Sequence, residues 1–436
     1  MIENSSTILY RIMNYKFHRL GSGLRVITVP MPNLGSATLA VWVKTGSRNE
    51  EKRVNGISHF LEHMVFKGSR KRPSAKKISE AVDSIGGEFN AATGKDWTNF
   101  YIKARNGAIE TAFDVLSDMV INPLLDPDEI EREKGVIVEE IAMYEDTPII
   151  KIGDVFEQLA FSGNPLGWDI AGNEKSVRST KKSDFVSYRK KYYYADNIIV
   201  AVAGGINTDS VLNLAQKYFS AIGNIKPDIK KNEFKINAKA PKIRLHPQKK
   251  EQAHFILGFL GDGREYKGRF AQGVLSAILG GGMSSRLFTE VRERRGLAYA
   301  VKTSMERYTE TGYLGTYVGV DPEKIDEAVK VIIDQSFGLA GNKYKISGRE
   351  LKKAKEYLKG HLALALEDTK NVNAFFAEQT LFLKETITPD KVYKKIDEVG
   401  VKDVLFEAKK LITQENMRLA VIGPYSDDER FRRFVK

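Results

Sequence analysis

The segment GISHFLEHMVFKGS, residues 56–69, decides how the rest of the chain is interpreted. Its apolar residues recur at helical spacing, at Ile57, Phe60, Leu61 and Met64. This spacing predicts a helix that buries one face. His59 and His63 then lie one turn apart on the same side of the helix, with the carboxylate of Glu62 beside them.

Two imidazoles at i and i+4 with a neighbouring carboxylate indicate a metal site. Zinc binds neutral imidazole nitrogens, and a catalytic zinc takes three protein ligands and leaves a fourth position for water. Glu62 would be the general base that takes a proton from that water as it attacks a carbonyl. A chance pair of histidines on a helix is the alternative, but the chain has only six histidines. The order H-x-x-E-H is also the one that inverzincin metallopeptidases use.

A second predicted helix, which contains EREKGVIVEEIAMYE at residues 131–145, carries the candidate third ligand. At 100° per residue, Glu133 and Glu140 fall together on one flank of its apolar stripe, whereas Glu139 points to solvent. We therefore expect Glu140 to be the third ligand. Glu133 is expected to form a hydrogen bond with one of the ligands rather than to bind the metal itself. Taken alone, an acidic helix of this kind is usually a solvated face.

Length and composition limit the other possibilities. The chain has 436 residues and no cysteine, so it is long enough for two or more domains and contains no thiolate ligand or disulfide. No run of about 18 uncharged apolar residues occurs, and the sequence predicts a soluble, unexported cytoplasmic protein with no membrane partner. The net charge of +12 raises the alternative of nucleic-acid binding. Much of it lies in residues 226–250, which is more typical of a solvated tether, and we expect no nucleic-acid partner.

The order of predicted elements occurs twice along the chain. The closing strand IIVAVAGG (198–205) is matched by MRLAVIGP (417–424) at the end of the second half. The pattern predicts an α+β fold of two tandem homologous domains, each a mostly antiparallel sheet covered by helices. The expected divisions are a zinc-binding domain at 13–225, a basic linker at 226–242 and a second domain at 243–436. Residues 1–12 are expected to be dispensable.

Two further segments offer candidate site residues. The segment GGEFNAATGKDWTNFY (86–101) predicts two strands and a turn. It is either an ordinary hairpin or a sheet edge beside the metal, at which Phe89, Asn90, Ala91 and Ala92 bind an extended peptide as an added strand. In the second half, Arg292 and Tyr299 lie seven residues apart on a glycine-flanked element and would stabilise an oxyanion if they reach the metal.

These segments together resemble the pitrilysin and insulinase family of inverted-motif zinc peptidases, in its mitochondrial processing peptidase-like branch. The resemblance runs from about residue 13 to the C-terminus and implies one zinc ion per chain. It also implies a role for each matching residue: ligands at His59, His63 and Glu140; a base at Glu62; an accessory catalytic carboxylate at Glu133; a carbonyl-polarising pair at Arg292 and Tyr299; a peptide-binding strand at Asn90 and Ala91.

The resemblance has a consequence for assembly, because family half-units close like a clamshell around a chamber. This chain is one half-unit long, so we expect a homodimer in which the second domain of one chain completes the zinc site of the other. The expected function is a zinc-dependent metalloendopeptidase that hydrolyses unfolded peptides or short protein segments in the dimer chamber. The alternative is an inactive scaffold or peptide-binding subunit of the same fold.

Overall fold

The computed structural model describes residues 13–224, 227–228, 233–235 and 240–435. Residues 1–12, expected to be dispensable, and part of the expected linker at 226–242 lie outside the described residues. Within the described ranges, no helix combines the length and the apolar character needed to cross a bilayer.

Strands and helices alternate in the order expected for an α+β fold. The strands are β1 (Lys16–Arg19), β2 (Arg25–Pro30), β3 (Ser36–Val43), β4 (Glu88–Thr93), β5 (Thr98–Arg105), β6 (Ile198–Gly204), β7 (Ile243–Pro247), β8 (Ala253–Asp262), β9 (Ala298–Arg307), β10 (Thr311–Val320) and β11 (Met417–Gly423).

The helices of the first half are α1 (Ile57–Val65), α2 (Ala75–Asp83), α3 (Ile109–Ile121), α4 (Pro127–Glu145), α5 (Pro148–Ala160), α6 (Glu174–Ser179), α7 (Lys182–Tyr192) and α8 (Thr208–Phe219). Those of the second half are α9 (Arg269–Gly280), α10 (Ile325–Ala340), α11 (Gly348–Ala365), α12 (Thr369–Phe382), α13 (Pro389–Asp397), α14 (Val401–Leu411) and α15 (Glu429–Arg432). A π-helix covers Phe288–Glu293.

The described strands form two sheets with the same internal order. The first is β1-β2-β6-β3-β5-β4, and the second is β7-β11-β8-β10-β9. Apart from β1, each strand of the first sheet has an equivalent at the same place in the second. In both sheets one pair is parallel, β2 with β6 and β7 with β11, and the other pairs are antiparallel. The expected fold of two domains with mostly antiparallel sheets and covering helices is confirmed.

The compact units of the protein are not contiguous along the chain. Of the described residues, the first contains 13–138, 170–224, 227–228 and 363–392, and the second contains 139–169, 233–235, 240–362 and 393–435. Each unit contains a helix from the other half of the chain, because α5 packs on β7, β8 and β11, whereas α12 packs on β2, β3 and β6. The domains expected from the sequence follow the order of the chain instead, at 13–225 and 243–436 with the linker at 226–242. They describe the repeat in the sequence, and they remain a prediction.

The helix α12 is fixed to the first sheet by a buried amide. The side-chain nitrogen of Asn373 donates to the carbonyl oxygens of Thr38 (3.1 Å) and Ala201 (2.8 Å). Its side-chain oxygen accepts from the indole nitrogen of Trp42 at 3.1 Å. Asn373 is buried, so these bonds replace the water that the amide would lose on folding.

One hydrophobic core of the second unit lies between α5 and the second sheet. Phe156 of α5 and Phe161, the residue after this helix, pack against the ring of Tyr313 at centroid distances of 4.7 and 6.1 Å. Phe234, from the segment expected to be a solvated linker, packs edge-on against Phe161 at 5.1 Å. The basic segment is therefore anchored at this residue, which differs from the expectation of a free tether.

Two helix boundaries differ from the sequence-based expectation. The helical pattern of the sequence predicts a single helix over residues 348–383, but α11 ends at Ala365 and α12 begins at Thr369. Asp368 caps α12 by accepting from the backbone nitrogen of Lys370 at 2.7 Å, so the chain can change direction there. The sequence also predicts a helix that begins at about residue 284, and in the structure most of this segment is the π-helix at Phe288–Glu293.

We predict that Asn373→Ala lowers the stability of the first unit by about 2–3 kcal/mol, because it leaves buried donors and acceptors unpaired. The first thermal transition, followed by intrinsic tryptophan fluorescence, should fall by about 5 °C. Asn371→Ala is the matched control, since Asn371 is exposed on the same helix. An equal midpoint for the two variants would contradict the assignment of Asn373 as the anchor of α12.

Candidate metal centre

The helix α1 forms where the sequence predicts it and presents the three expected polar side chains. Phe60, Leu61 and Met64 are buried, and the Phe60 ring packs perpendicular to Phe185 at 4.9 Å. This packing fixes the rotation of the helix about its axis. His59, Glu62 and His63 are consequently half-buried, between the core and solvent.

The helix α4 begins at a capped turn and positions the two expected carboxylates. One Asp126 side-chain oxygen accepts from the backbone nitrogens of Asp128 (2.9 Å) and Glu129 (3.2 Å). Glu133 is buried and Glu140 is half-buried, whereas Glu139 is exposed. The division between the compact units falls inside this continuous helix, after residue 138.

The structure brings His59, His63 and Glu140 together. One potential ligand atom from each lies within 4.8 Å of the others, and the described residues contain no other such group of three His, Cys, Asp or Glu side chains. The Nε2 atoms of the two histidines are 3.2 Å apart. Two nitrogens at about 2.0–2.1 Å from a tetrahedral zinc would be about 3.3–3.4 Å apart. Both the donor types and their spacing fit a zinc ion with three protein ligands.

Glu133 orients one of these ligands from the side away from the cluster. Its carboxylate accepts from Nδ1 of His63 at 2.8 Å and forms an ion pair with Lys67 at 2.5 Å. Burial acts to raise the pKa of Glu133, but the hydrogen bonds from His63 and Lys67 outweigh it and hold the pKa below its ordinary value. An ionised carboxylate can only accept, so Nδ1 of His63 carries the hydrogen and Nε2 offers its lone pair to a metal.

Glu140 and Glu62 are each held by a hydroxyl group. The Tyr144 hydroxyl donates to Oε1 of Glu140 at 2.7 Å, from one turn further along α4. The Thr93 hydroxyl donates to Oε2 of Glu62 at 2.5 Å, from the end of β4. These bonds restrict the rotation of both carboxylates, which is the condition for a preorganised site.

The strand β4 is an edge strand and lies beside α1. It pairs with β5 on one side and ends the first sheet on the other. Phe89 packs against Phe66 at 5.5 Å, just beyond the end of α1, whereas Asn90 and Ala92 are exposed. The backbone nitrogen of Ala91 donates to the side chain of Asn90 at 2.8 Å. The peptide-binding role expected for Phe89 to Ala92 remains a prediction.

Arg292 and Tyr299 are neighbours in the second unit. Arg292 is in the π-helix and Tyr299 is on the edge strand β9, and the intervening turn has Gly296 at φ 59. The guanidinium carbon lies 4.9 Å from the centroid of the Tyr299 ring and 4.8 Å from that of Phe288. Tyr299 is 78% exposed, so its ring is open to an incoming molecule.

Several residues that support the centre were not identified from the sequence. Tyr144 had a local signal, since it is four residues from Glu140 on a helix and such pairs are adjacent. Thr93 and Lys67 had none, because their contacts with Glu62 and Glu133 depend on how β4 and α4 approach α1.

Comparison with known proteins agrees with this geometry. The profile described as Insulinase (Peptidase family M16) matches residues 25–174, and that described as Peptidase M16 inactive domain matches 180–358. The chain is 35% identical to an uncharacterized zinc protease of Streptomyces coelicolor, over 95% of this chain and 90% of the relative. The chain belongs to the insulinase family, peptidase family M16. The uncharacterized zinc protease YmxG of Bacillus subtilis is also 35% identical, over 92% of this chain and 97% of its own length.

Solved structures reproduce the fold of this M16 chain. A protease from Helicobacter pylori superposes with a TM-score of 0.88 at 24% identity and covers 95% of this chain and 100% of its own. A chain of complex III2 from Candida albicans gives a TM-score of 0.82 at 20% identity, over 96% of this chain and 99% of its own. Both likenesses concern the fold alone.

We predict that Glu133→Gln weakens zinc binding by about 10–100-fold, because the neutral amide is a poorer acceptor for His63 and loses the ion pair with Lys67. The dissociation constant is measured by competition with a chromophoric chelator. Glu139→Gln, which changes an exposed carboxylate on the same helix, should bind zinc as the wild type does. Equal affinities in the two variants would contradict the orienting role of Glu133.

Proposed function

We propose that this M16 chain is a zinc-dependent endopeptidase that cleaves unfolded peptides or short protein segments. The observation that carries the proposal is the convergence of His59, His63 and Glu140, with Glu62 beside them on the same helix. Two imidazoles and one carboxylate are a ligand set of known catalytic zinc sites. The names of the relatives, which call them zinc proteases, support the same metal.

The proposed stoichiometry is one zinc ion per chain, held by His59, His63 and Glu140. When bound, the ion would supply Lewis-acid activation of water and of the scissile carbonyl. Glu62 accepts a proton from the attacking water and delivers it to the amine nitrogen as the carbon–nitrogen bond breaks. The Thr93 hydroxyl holds the Glu62 carboxylate during this exchange. Glu133 keeps the His63 ring fixed through its hydrogen bond.

The proposed substrate is an extended peptide that adds to β4 as a further strand. The edge position of β4 supports this, because the outer side of an edge strand can pair with another chain. Thr93 ends the strand and contacts Glu62, so a peptide paired along Phe89 to Ala92 would run toward the catalytic carboxylate. Backbone pairing of this kind requires an unfolded segment and makes little demand on its sequence.

The proposed assembly is a homodimer whose chamber is completed by the second unit of the partner chain. The support comes from the resemblance to half-units that pair, and from the match of this chain to 97% of the length of the Bacillus subtilis relative. Arg292 and Tyr299 would then polarise the substrate carbonyl in the site of the partner. Their mutual packing and the exposure of Tyr299 suit a pair that acts on an incoming molecule.

The alternative of an inactive scaffold or peptide-binding subunit shares the fold but does not require the ligand set. A scaffold that binds no metal does not need two histidines, a carboxylate and a base in this arrangement. The complete set and its supporting contacts from Glu133 and Thr93 therefore favour the peptidase.

We expect Glu62→Gln to abolish peptide cleavage while zinc remains bound at one ion per chain, because the variant loses the base and keeps the ligands. Cleavage of an unstructured fluorogenic peptide and metal analysis of the same preparation measure the two properties. Glu139→Gln is the control and should retain both. A zinc-loaded wild type that cleaves no unfolded peptide would support the scaffold alternative instead.

A second experiment tests the assembly. Chains with Glu62→Gln and chains with Tyr299→Phe are each expected to be weakly active or inactive alone, because each damages every site. If Tyr299 acts in the partner's site, mixed dimers contain one intact site and one doubly damaged site, so mixing should restore up to about a quarter of wild-type activity at random exchange. Activity that stays at the level of the parents, with subunit exchange demonstrated, would rule out completion in trans.

A further inference from the structure

The first turn of α1 is capped by a carboxylate from outside the helix. Its N-cap residue is Gly56, which has φ 98 and no side chain to accept from the first backbone nitrogens. A Cβ atom at this position would meet the carbonyl oxygen of Ala171 at 2.5 Å, so glycine is required there. Glu50 takes the place of a capping residue: Oε2 accepts from the nitrogen of Gly56 at 2.7 Å, and Oε1 from that of Ser58 at 2.8 Å.

Glu50 is buried, and a buried carboxylate destabilises the fold unless hydrogen-bond donors replace the water it has lost. It is 3% exposed, and its third donor is the side-chain nitrogen of Asn55 at 2.8 Å. Burial raises the pKa of Glu50 to about 7, although the hydrogen bonds from Asn55, Ser58 and Gly56 act in the opposite direction. A buried carboxylate persists only where donors are aimed at it, and here the donors belong to the start of the helix that carries the histidines.

The segment that carries Glu50 is fixed to the β4–β5 hairpin. The backbone nitrogens of Ser47 and Arg48 donate to the carbonyls of Gly94 (3.2 Å) and Lys95 (3.1 Å) in the hairpin turn. The Arg48 guanidinium also pairs with the buried Asp96 at 2.9 Å. The same hairpin carries Thr93, the partner of Glu62. The segment that carries Glu50 and the side chain of Glu62 are therefore both held by contacts with the β4–β5 hairpin.

A chain of hydroxyl groups extends the cap to the neighbouring elements. The Ser58 hydroxyl lies 2.7 Å from the Tyr188 hydroxyl of α7, which lies 2.8 Å from the hydroxyl of Thr45. Burial raises the pKa of Tyr188 well above its usual value, with the charge of Glu50 acting in the same direction, so the phenol stays neutral. Ser58 is thus held through both its backbone and its side chain, and His59 follows it directly.

We propose that Glu50 is a positioning residue for the metal centre, which sets the start and the rotation of α1 and thereby the places of His59, Glu62 and His63. This inference rests on the proposed function, since it concerns the same centre. Metal–ligand distances tolerate errors of only about 0.2 Å, so a helix start that slips by a fraction of a turn removes the ligands from one another. A role in stability alone would not require the cap to be tied to the residue next to the first histidine.

The test uses the full chain with Glu50→Gln and, as the matched control, Glu51→Gln, which changes the exposed neighbouring carboxylate. Glutamine has one acceptor oxygen, so its amide group would face a backbone donor of Gly56 or Ser58. We expect zinc binding to weaken by about 10–100-fold in Glu50→Gln, with kcat reduced and KM little changed. Amide hydrogen exchange of residues 56–60 in the metal-free protein should accelerate, and Glu51→Gln should match the wild type in every measurement.

The outcomes separate positioning from stability. A lowered melting temperature with unchanged zinc affinity in the folded protein would overturn the proposal. If Glu50→Gln does not fold, Glu50→Asp replaces it, because the shorter side chain keeps the carboxylate but reaches the backbone nitrogens of Gly56 and Ser58 less well, and a zinc affinity equal to that of wild type would again overturn the proposal. Zinc affinity and hydrogen exchange need no substrate. Failure here therefore leaves the peptidase assignment standing, whereas a zinc-loaded wild type without activity would overturn the peptidase assignment alone.

Discussion

The hydrogen bond from the His63 imidazole to the buried Glu133 carboxylate joins two helices whose residues are 70 positions apart in the chain. It ties α1 to α4, the helix that also carries Glu140, and it holds the His63 ring that faces the cluster. The hydrogen bonds from His63 and Lys67 hold the pKa of Glu133 below its ordinary value, and the Tyr144 hydroxyl donates to Glu140, the other carboxylate of α4 at the centre. The arrangement of the candidate metal ligands therefore depends on how the amphipathic helices α1 and α4 pack side by side.

The sequence was sufficient to predict whatever depends on local periodicity. The faces of α1 and α4 on which His59, His63 and Glu140 lie followed from 100° of rotation per residue. The contacts of Glu62 with Thr93 and of Glu133 with Lys67 could not be obtained this way, since each joins separate elements. Periodicity identifies the apolar face of a helix but does not say which surface covers it.

The helices α5 and α12 illustrate the same limit. Each has an apolar face suited to covering a sheet, and chain order suggests the nearest one. In the structure, α5 covers the second sheet and α12 the first. The end of α11 was missed for a different reason: Asp368 is a recognisable cap, but the helical pattern on both sides of it concealed the break.

The two sheets show how one topology carries different chemistry. The edge strands β4 and β9 occupy equivalent places, and each lies next to candidate functional residues: Thr93 and Glu62 beside the first, Arg292 and Tyr299 at the second. In the second sheet the helix after β8 is α9, whose sequence RFAQGVLSAILG contains no histidine. The match of residues 180–358 to an inactive domain agrees with a copy that lacks the ligands.

The crossing over of α5 and α12 has a consequence for how this protein is made. While the ribosome is still translating residues beyond 224, the first sheet has all its strands but lacks the helix that shields β3 and β6, which is encoded at 369–382. The face of β3 and β6 that α12 covers therefore stays exposed to solvent until almost the whole polypeptide has emerged from the ribosome. A gene truncated between the two halves would yield fragments with bare sheet faces, which are prone to aggregate, so neither half is a natural unit for expression.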